Sequence, residues 1–389
     1  MRWGRLIWVL VLLIVIAVAL GWWLTRVPVA GPMQLTRVHF SDLPGWSAGD
    51  PKEAFQAFQR SCTARAQDSD DTALAYAGTA GDWRAACAAA GSADANAARD
   101  FFEQWFQPVA ISAGSVRDGL VTGYYEPQLR ASRLHRGPYQ TPVYGLPSDL
   151  VSVDLGQFRE ALKGEHIAGR IEQHKLVPYD TRAQIDAKGV PQARVLFYAQ
   201  DPVAVFFLHI QGSGRVRFDD GTSARVAYAG ENGHPYTAIG RTLVAQGALQ
   251  KGKVSMQAIR DWLSAHPDKA RAVMESDASF IFFKELPLGD PGLGAQGAED
   301  VALTPEGSIA VDLRLHPLGV PFFIATNAPD GKAMNRLYVS QDTGGAIRGP
   351  VRADIFFGFG AKAEALAGEM KQAGRLYALL PKPVAKRIP

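Results

Sequence analysis

Apolar residues follow three successive patterns along the chain. The first is an uncharged run from Ile7 to Leu24 (IWVLVLLIVIAVALGWWL), preceded by Arg2 and Arg5. As a helix it would reach roughly 27 Å, enough to cross a bilayer core. The basic side precedes the run and the Trp22-Trp23 pair closes it, which orients the rest of the chain away from the cytoplasm. A cleaved signal peptide is the alternative. The flank with Arg26 and Pro28 offers no small-x-small cleavage site and no cysteine for lipid attachment, so an uncleaved anchor is expected.

The second pattern has helical periodicity and runs from Lys52 to Phe106, behind a Pro/Gly-containing tether from Pro28 to Gly49 with one strand-like patch. The third begins at Gly119. Short alternating or continuous apolar runs (LVTGYYEP, ARVLFYA, VAVFFLHIQGSGRVRF, SARVAYAG, SIAVDLRL, PFFIATN, RLYVSQ and ADIFFGFG) lie between Gly, Asp and Pro turns and predict β-rich barrels or sandwiches. Helices are predicted at Met256 to Ala265, Ala270 to Ser276 and Ala361 to Ala373. Pro287 to Gly297 is the best internal boundary, and there is no internal repeat.

Composition narrows the function classes. With 41 Lys+Arg against 38 Asp+Glu, the chain has no charge excess suited to coating a nucleic acid or another strongly charged partner. Its two cysteines, Cys62 and Cys87, lie in alanine-rich helical segments, and in an exported body a disulfide is the expectation, with two buried thiols as the alternative. The eight histidines show no metal-ligand spacing. FGFGAKA has too little chain after it for a dinucleotide fold, and QGSGR lacks the first glycine of a nucleophile elbow. No cofactor and no metal are expected.

Four glycine-framed polar clusters remain: Thr122 to Glu126, Gln211 to Arg215, Tyr228 to His234, and Gln341 to Arg348 with Arg352 to Asp354 beyond it. Any one of them could be a tight turn. Together their tyrosines, amides, hydroxyls and close-approach glycines suit a sugar chain better than a phosphate.

In this order and spacing, TGYYEP, FFLHIQGSGRV, YAGENGHPY, AIG, SIAVD and QDTGGAIRGPVRADIFFGFG closely resemble the membrane-bound lytic transglycosylase A family, over about Gly119 to Pro381. The resemblance implies a mainly β fold: a discontinuous double-psi β-barrel, a second inserted β-barrel domain and N-terminal helices. The implied division is 1–32 anchor or signal and tether, 33–129 helical part and first barrel segment, 130–284 inserted barrel, and 285–389 C-terminal segment with three aspartates. Those aspartates map to Asp312, Asp342 and Asp354, with Asp354 as the single catalytic acid and the others supporting. Tyr124, Tyr125, Gln211, Ser213, Tyr228, Asn232, His234 and Arg352 carry over as groove residues for peptidoglycan glycan strands. Familiar members are lipoproteins. Here the apolar anchor replaces the lipidated cysteine, so the body is expected on the periplasmic side of a Gram-negative envelope, inner-membrane anchored or secreted after cleavage.

The implied reaction cleaves the β-1,4 bond between N-acetylmuramic acid and N-acetylglucosamine. One carboxylic acid protonates the leaving oxygen, then takes the proton of the sugar's own C6 hydroxyl as a 1,6-anhydro ring closes. Asp354 must start protonated, and Ile355, Phe356 and Phe357 offer it an apolar surround. Arg352 shares its strand face and is expected to contact substrate or another acid. Asp342 and Asp312 also read as turn and strand-end residues, and Glu126 before Pro127 reads as a solvated strand end. The rivals are a water-using muramidase with two carboxylates and a glycan-binding barrel without activity.

Overall fold

The computed structural model describes residues 31–162 and 165–389. The apolar run from Ile7 to Leu24 lies outside the described residues, and among them no helix is long and apolar enough to cross a membrane. The fold is mainly β. Strands β1 (Met33–Arg37), β2 (Phe106–Ala113) and β3 (Gly119–Glu126) join β13 (Ser308–Ala310), β14 (Pro321–Asn327), β15 (Ala333–Asp342), β16 (Arg352–Phe359) and β17 (Lys371–Pro381) in one eight-stranded sheet. Its order is β1-β2-β17-β14-β15-β13-β16-β3, and β3 also pairs with β17, so the six strands from β17 to β3 close on themselves.

The chain between β3 and β13 builds a second body. Strands β4 (Gln128–Ser132), β5 (Thr141–Tyr144), β9 (Val195–Ala199), β10 (Ser213–Phe218), β11 (Ser223–Glu231) and β12 (Ile281–Leu286) form a six-stranded sheet ordered β12-β11-β10-β4-β9-β5. A bridge between Gly145 and Phe283 brings its edges together. A three-stranded sheet of β6 (Val151–Asp154), β7 (His166–Glu172) and β8 (Lys175–Pro178) stands beside it.

Helices α1 (Lys52–Arg65), α2 (Ala80–Ser92) and α3 (Ala98–Trp105) cover the first sheet. Their apolar faces meet in an aromatic cluster of Phe55, Phe58, Trp83, Phe101, Phe102 and Phe106, with ring centroids 5.0 to 6.2 Å apart. A disulfide joins Cys62 of α1 to Cys87 of α2; closing a loop of that length stabilises by roughly 3 kcal/mol in the chain-entropy picture.

Two local expectations are corrected. The run VAVFFLHIQ is a helix, α4 (Pro202–Gln211), not a strand: the Asp201 side chain caps it by accepting from the Val203 N–H, Pro202 opens it, and left-handed Gly212 ends it. A continuous apolar run carries no period that separates helix from strand. The helix expected over Ala361 to Ala373, α5 (Ala361–Glu369), stops early because β17 begins at Lys371, with Gly374 inside that strand where a Cβ would come within 2.6 Å of Val121 Cγ2. The strand-like patch of the tether is a strand, Met33–Arg37, paired with β2. Met256–Ala265 is helical as expected, and the helix after it runs Pro267–Met274.

The two bodies meet at Glu126, which is fully buried rather than a solvated strand end. Its Oε1 accepts from Arg225 Nε at 2.6 Å and its Oε2 from Arg215 Nε at 2.8 Å. The other guanidinium nitrogens of both arginines donate to the carbonyls of Leu288, Pro291 and Leu293, in the segment that returns the chain to the first sheet. One carboxylate therefore holds both crossings. Glu126→Ala strands two buried guanidiniums without a counter-charge and is expected to destabilise by about 3–5 kcal/mol. Urea denaturation checks this, and a loss within error of zero contradicts it.

Candidate active site

The site is built by strand register. In the order β15-β13-β16-β3, Ala310 pairs with Asp342 on one side and with Asp354 on the other, and Asp354 pairs with Thr122. A bulge sets the first of these pairings. Ile309 faces Ser340 but Ala310 faces Asp342, so Gln341 is an extra residue in β15. Its side chain is buried: it accepts from Ser308 Oγ at 2.5 Å and donates to Ala57 O at 2.9 Å and Ser61 Oγ at 2.8 Å. Helix α1, clipped by the disulfide, thus sets where Asp342 falls.

Asp354 is half-buried, and its Oδ1 accepts from Thr122 Oγ1 at 2.5 Å. Burial raises its pKa above the ordinary carboxylate range, with Arg352 and the Thr122 hydrogen bond pulling partly back. Asp342 Oδ2 accepts from Tyr124 OH at 2.8 Å and its Oδ1 from Ala298 N at 3.1 Å. Burial pushes Asp342 up to about 6 against the Tyr124 and backbone hydrogen bonds, with the Asp354 charge adding to the rise. Asp312 behaves oppositely. Its side chain is fully buried, yet two hydrogen bonds from the Arg314 guanidinium and one from Gly349 N outweigh that burial and hold it at about 2.

Glycines allow the close approach. A Cβ on Gly123 would collide with the Phe357 ring, and Gly358, at φ +94°, lies where a Cβ would come within 2.9 Å of Pro305 as β16 bulges after Phe356. Ile355, Phe356 and Phe357 are buried and Tyr124 packs on Phe356, which supplies the apolar surround.

The other expected groove residues divide. Tyr124 reaches Asp342. Arg352 Nη1 donates to the Ala353 and Leu120 carbonyls while its charge acts on Asp354. Gln211 accepts from Tyr125 N at 3.1 Å, Ser213 opens β10 half-buried, and Tyr228 is 49 % exposed. Two residues sit in the framework instead of facing a groove. Tyr125 alternates to the core side of β3. Asn232 is buried, with its amide donating to Asp180 O and Ala278 O and accepting from Phe280 N. His234 bonds through Nε2 to Tyr179 O at 2.8 Å. A cavity of about 710 Å³ runs along β4 and β10, and none of the three aspartates lines it.

Thr122 and Gln341 fall inside the polar clusters but are given no role of their own by the sequence, and Glu299 is not singled out. Thr122 had a signal, since it sits on the same strand face as Tyr124. Glu299 had none: it is pushed up to about 7 by burial because it lies under α1, where Ser61 Oγ donates to it at 2.5 Å.

Two family models match the chain, an MltA specific insert domain over residues 120–284 and a 3D domain over 307–380. The membrane-bound lytic murein transglycosylase A of Escherichia coli K12 is 31% identical over 294 residues, covering 74% of this chain and 71% of that protein. The crystal structure of a membrane-bound lytic murein transglycosylase from Agrobacterium tumefaciens superposes with a TM-score of 0.80 at 33% identity, over 92% of this chain and all of that one. That of E. coli MltA with bound chitohexaose gives 0.65 at 27%, over 90% and 95%.

Because Asp342 is raised above the value of an unfolded aspartate, its ionisation opposes folding: the cost is absent below about pH 4 and grows as pH rises to about 6. Tyr124→Phe removes a donor that favours the ionised form, so the Asp342 midpoint should move above about 6. An NMR titration of carbon-13-labelled aspartate reads this directly. An unchanged or lowered midpoint contradicts it.

Proposed function

The chain belongs to the membrane-bound lytic murein transglycosylase A family, enzymes that act on peptidoglycan, and we propose that Asp354 alone serves as acid and then base in its reaction. The bond cut is the β-1,4 link between N-acetylmuramic acid and N-acetylglucosamine. The Asp354 carboxyl gives its proton to the glycosidic oxygen as the bond from C1 breaks. The carboxylate so formed takes the proton of the C6 hydroxyl, O6 bonds to C1, and a 1,6-anhydromuramic acid end leaves with no water consumed.

The observation that carries this reading is the contrast among the acids. Asp354 is shifted by burial toward its protonated form and keeps a hydroxyl partner, whereas Glu126, the rival second carboxylate, is held by two arginines and has no exposed surface. Asp342 has an oxygen on Tyr124 and an oxygen on Ala298 N, which suits positioning and charge tuning. Asp312 is an ionised anchor. Tyr124, Gln211, Ser213, Tyr228 and Arg352 are assigned to the glycan side of the site.

The same reading makes the closed six-stranded ring a double-psi β-barrel drawn from 33–129 and 285–389, with 130–284 inserted as a second barrel and 1–32 as anchor and tether. The body then works on glycan strands on the periplasmic side of the envelope. No cofactor enters the chemistry.

Asp354→Asn keeps shape and apolar contacts but can neither give nor take the proton. Cleavage of purified sacculi should fall by at least a hundredfold while peptidoglycan binding persists. Retention of more than about a tenth of the rate, or an equal loss in folded Glu126→Gln, overturns the one-carboxylate assignment.

A further inference from the structure

Beside the aspartate pair lies a cluster that the reaction above does not use. Asp312 follows Ala310 by two residues, within about 7 Å along the chain of the position flanked by Asp342 and Asp354. Its buried carboxylate holds Arg314 through Nε at 2.9 Å and Nη2 at 2.8 Å, which leaves Nη1 without a hydrogen bond among the described residues. Arg348 Nη1 stands 3.7 Å from Asp312 Oδ1, and its guanidinium likewise donates no hydrogen bond among the described residues. The two side chains are 44% and 50% exposed.

Position gives the pair its meaning. Arg348 lies in the loop that joins β15 to β16, hence between Asp342 and Asp354 in the chain, and Gly349 N ties that loop to Asp312 at 2.8 Å. On the far side, the carboxylate of Glu165, in the segment before β7, is close enough to act on the Arg314 charge. Arg314 therefore lies within electrostatic reach of the inserted body, two residues beyond Asp312. A salt bridge made only for stability would not need a buried acid to hold two half-exposed guanidiniums there. A fork fixed by one carboxylate with donors left over is preorganised for a second.

We infer that Arg314 and Arg348 form a carboxylate-binding site that reads the acidic arm of the muramic acid unit. This rests on the reading of the chain as a peptidoglycan-cleaving enzyme. The shared chemistry is a carboxylate near the muramic acid C3 substituent. In peptide-free strands it is the lactyl carboxylate itself; in substituted strands the lactyl group is an amide and the first free carboxylate belongs to the stem peptide. Asp312 is then a positioning residue, which accounts for a buried carboxylate held far below its ordinary range beside the catalytic acid without a proton to transfer.

The test uses Arg348→Gln and Arg314→Gln in the full chain against three glycans: peptide-free strands, peptide-bearing strands and chitohexaose, which lacks the lactyl arm. Arg348→Gln leaves the Asp312–Arg314 pair intact, so it decides the matter even where Arg314→Gln fails to fold. Losing one charge-assisted contact should raise KM about tenfold on a muramic-acid strand, with kcat within about twofold and chitohexaose affinity unchanged. A loss confined to peptide-free strands assigns the lactyl carboxylate, and one confined to peptide-bearing strands assigns the stem. An unchanged KM on both strands, a drop in kcat alone, or an equal weakening of chitohexaose binding overturns the site. Wild-type chain that cleaves neither strand refutes the enzymatic reading instead, a distinct outcome.

Discussion

One extra residue governs the site. Gln341 bulges out of β15, its amide is consumed by Ser308, Ala57 and Ser61, and Asp342 thereby falls opposite Ala310, which already faces Asp354. Without the bulge Gln341 itself would face Ala310, and the period of two along a strand would turn Asp342 to the other face. The pairing of two raised carboxyls, the Tyr124 bond and the Thr122 bond all follow from that register. The aromatic packing of α1 and its disulfide to α2 matter to chemistry because α1 carries Ala57 and Ser61, the framework on which the bulge is hung.

The electrostatics divide the acids by environment. Glu126 and Asp312 are both fully buried, Glu126 held by the guanidiniums of Arg215 and Arg225 and Asp312 by that of Arg314 with the Gly349 N–H, so each is fixed in place. Asp342 is given the Tyr124 hydroxyl and backbone N–H donors and Asp354 the Thr122 hydroxyl, too little to offset burial, and both rise. A carboxylate bound by guanidinium is a strut; one bound by a phenol or an alcohol remains able to exchange a proton. On the proposed mechanism this difference, rather than the number of acids, separates Asp354 from its neighbours.

Most of the architecture was legible because its signals are local. Alternating apolar runs between Gly and Pro turns located the strands, alanine-rich periodicity located the early helices, and SIAVD with QDTGGAIRGPVRADIFFGFG located the three aspartates. What was missed depends on a local cap or on contacts between distant segments. VAVFFLHIQ has no period that separates helix from buried strand, and only the Asp201-Pro202 cap settles it. Glu126 looked solvated because its partners lie at Arg215 and Arg225, far along the chain. Asn232 and Tyr125 carried the motif's identity but serve the framework, since a glycine-framed cluster needs residues that hold its turns as well as residues that face a ligand.

The central claim is that one carboxylic acid closes the ring on the sugar's own hydroxyl. Digestion of purified sacculi in water enriched in oxygen-18, followed by mass spectrometry of the released muropeptides, tests it without any variant. The account predicts muramic acid ends lighter by one water and free of the heavy isotope, because O6 and not solvent reaches C1. Reducing ends carrying one oxygen-18 at C1 would contradict it and would require a second carboxylate to activate water.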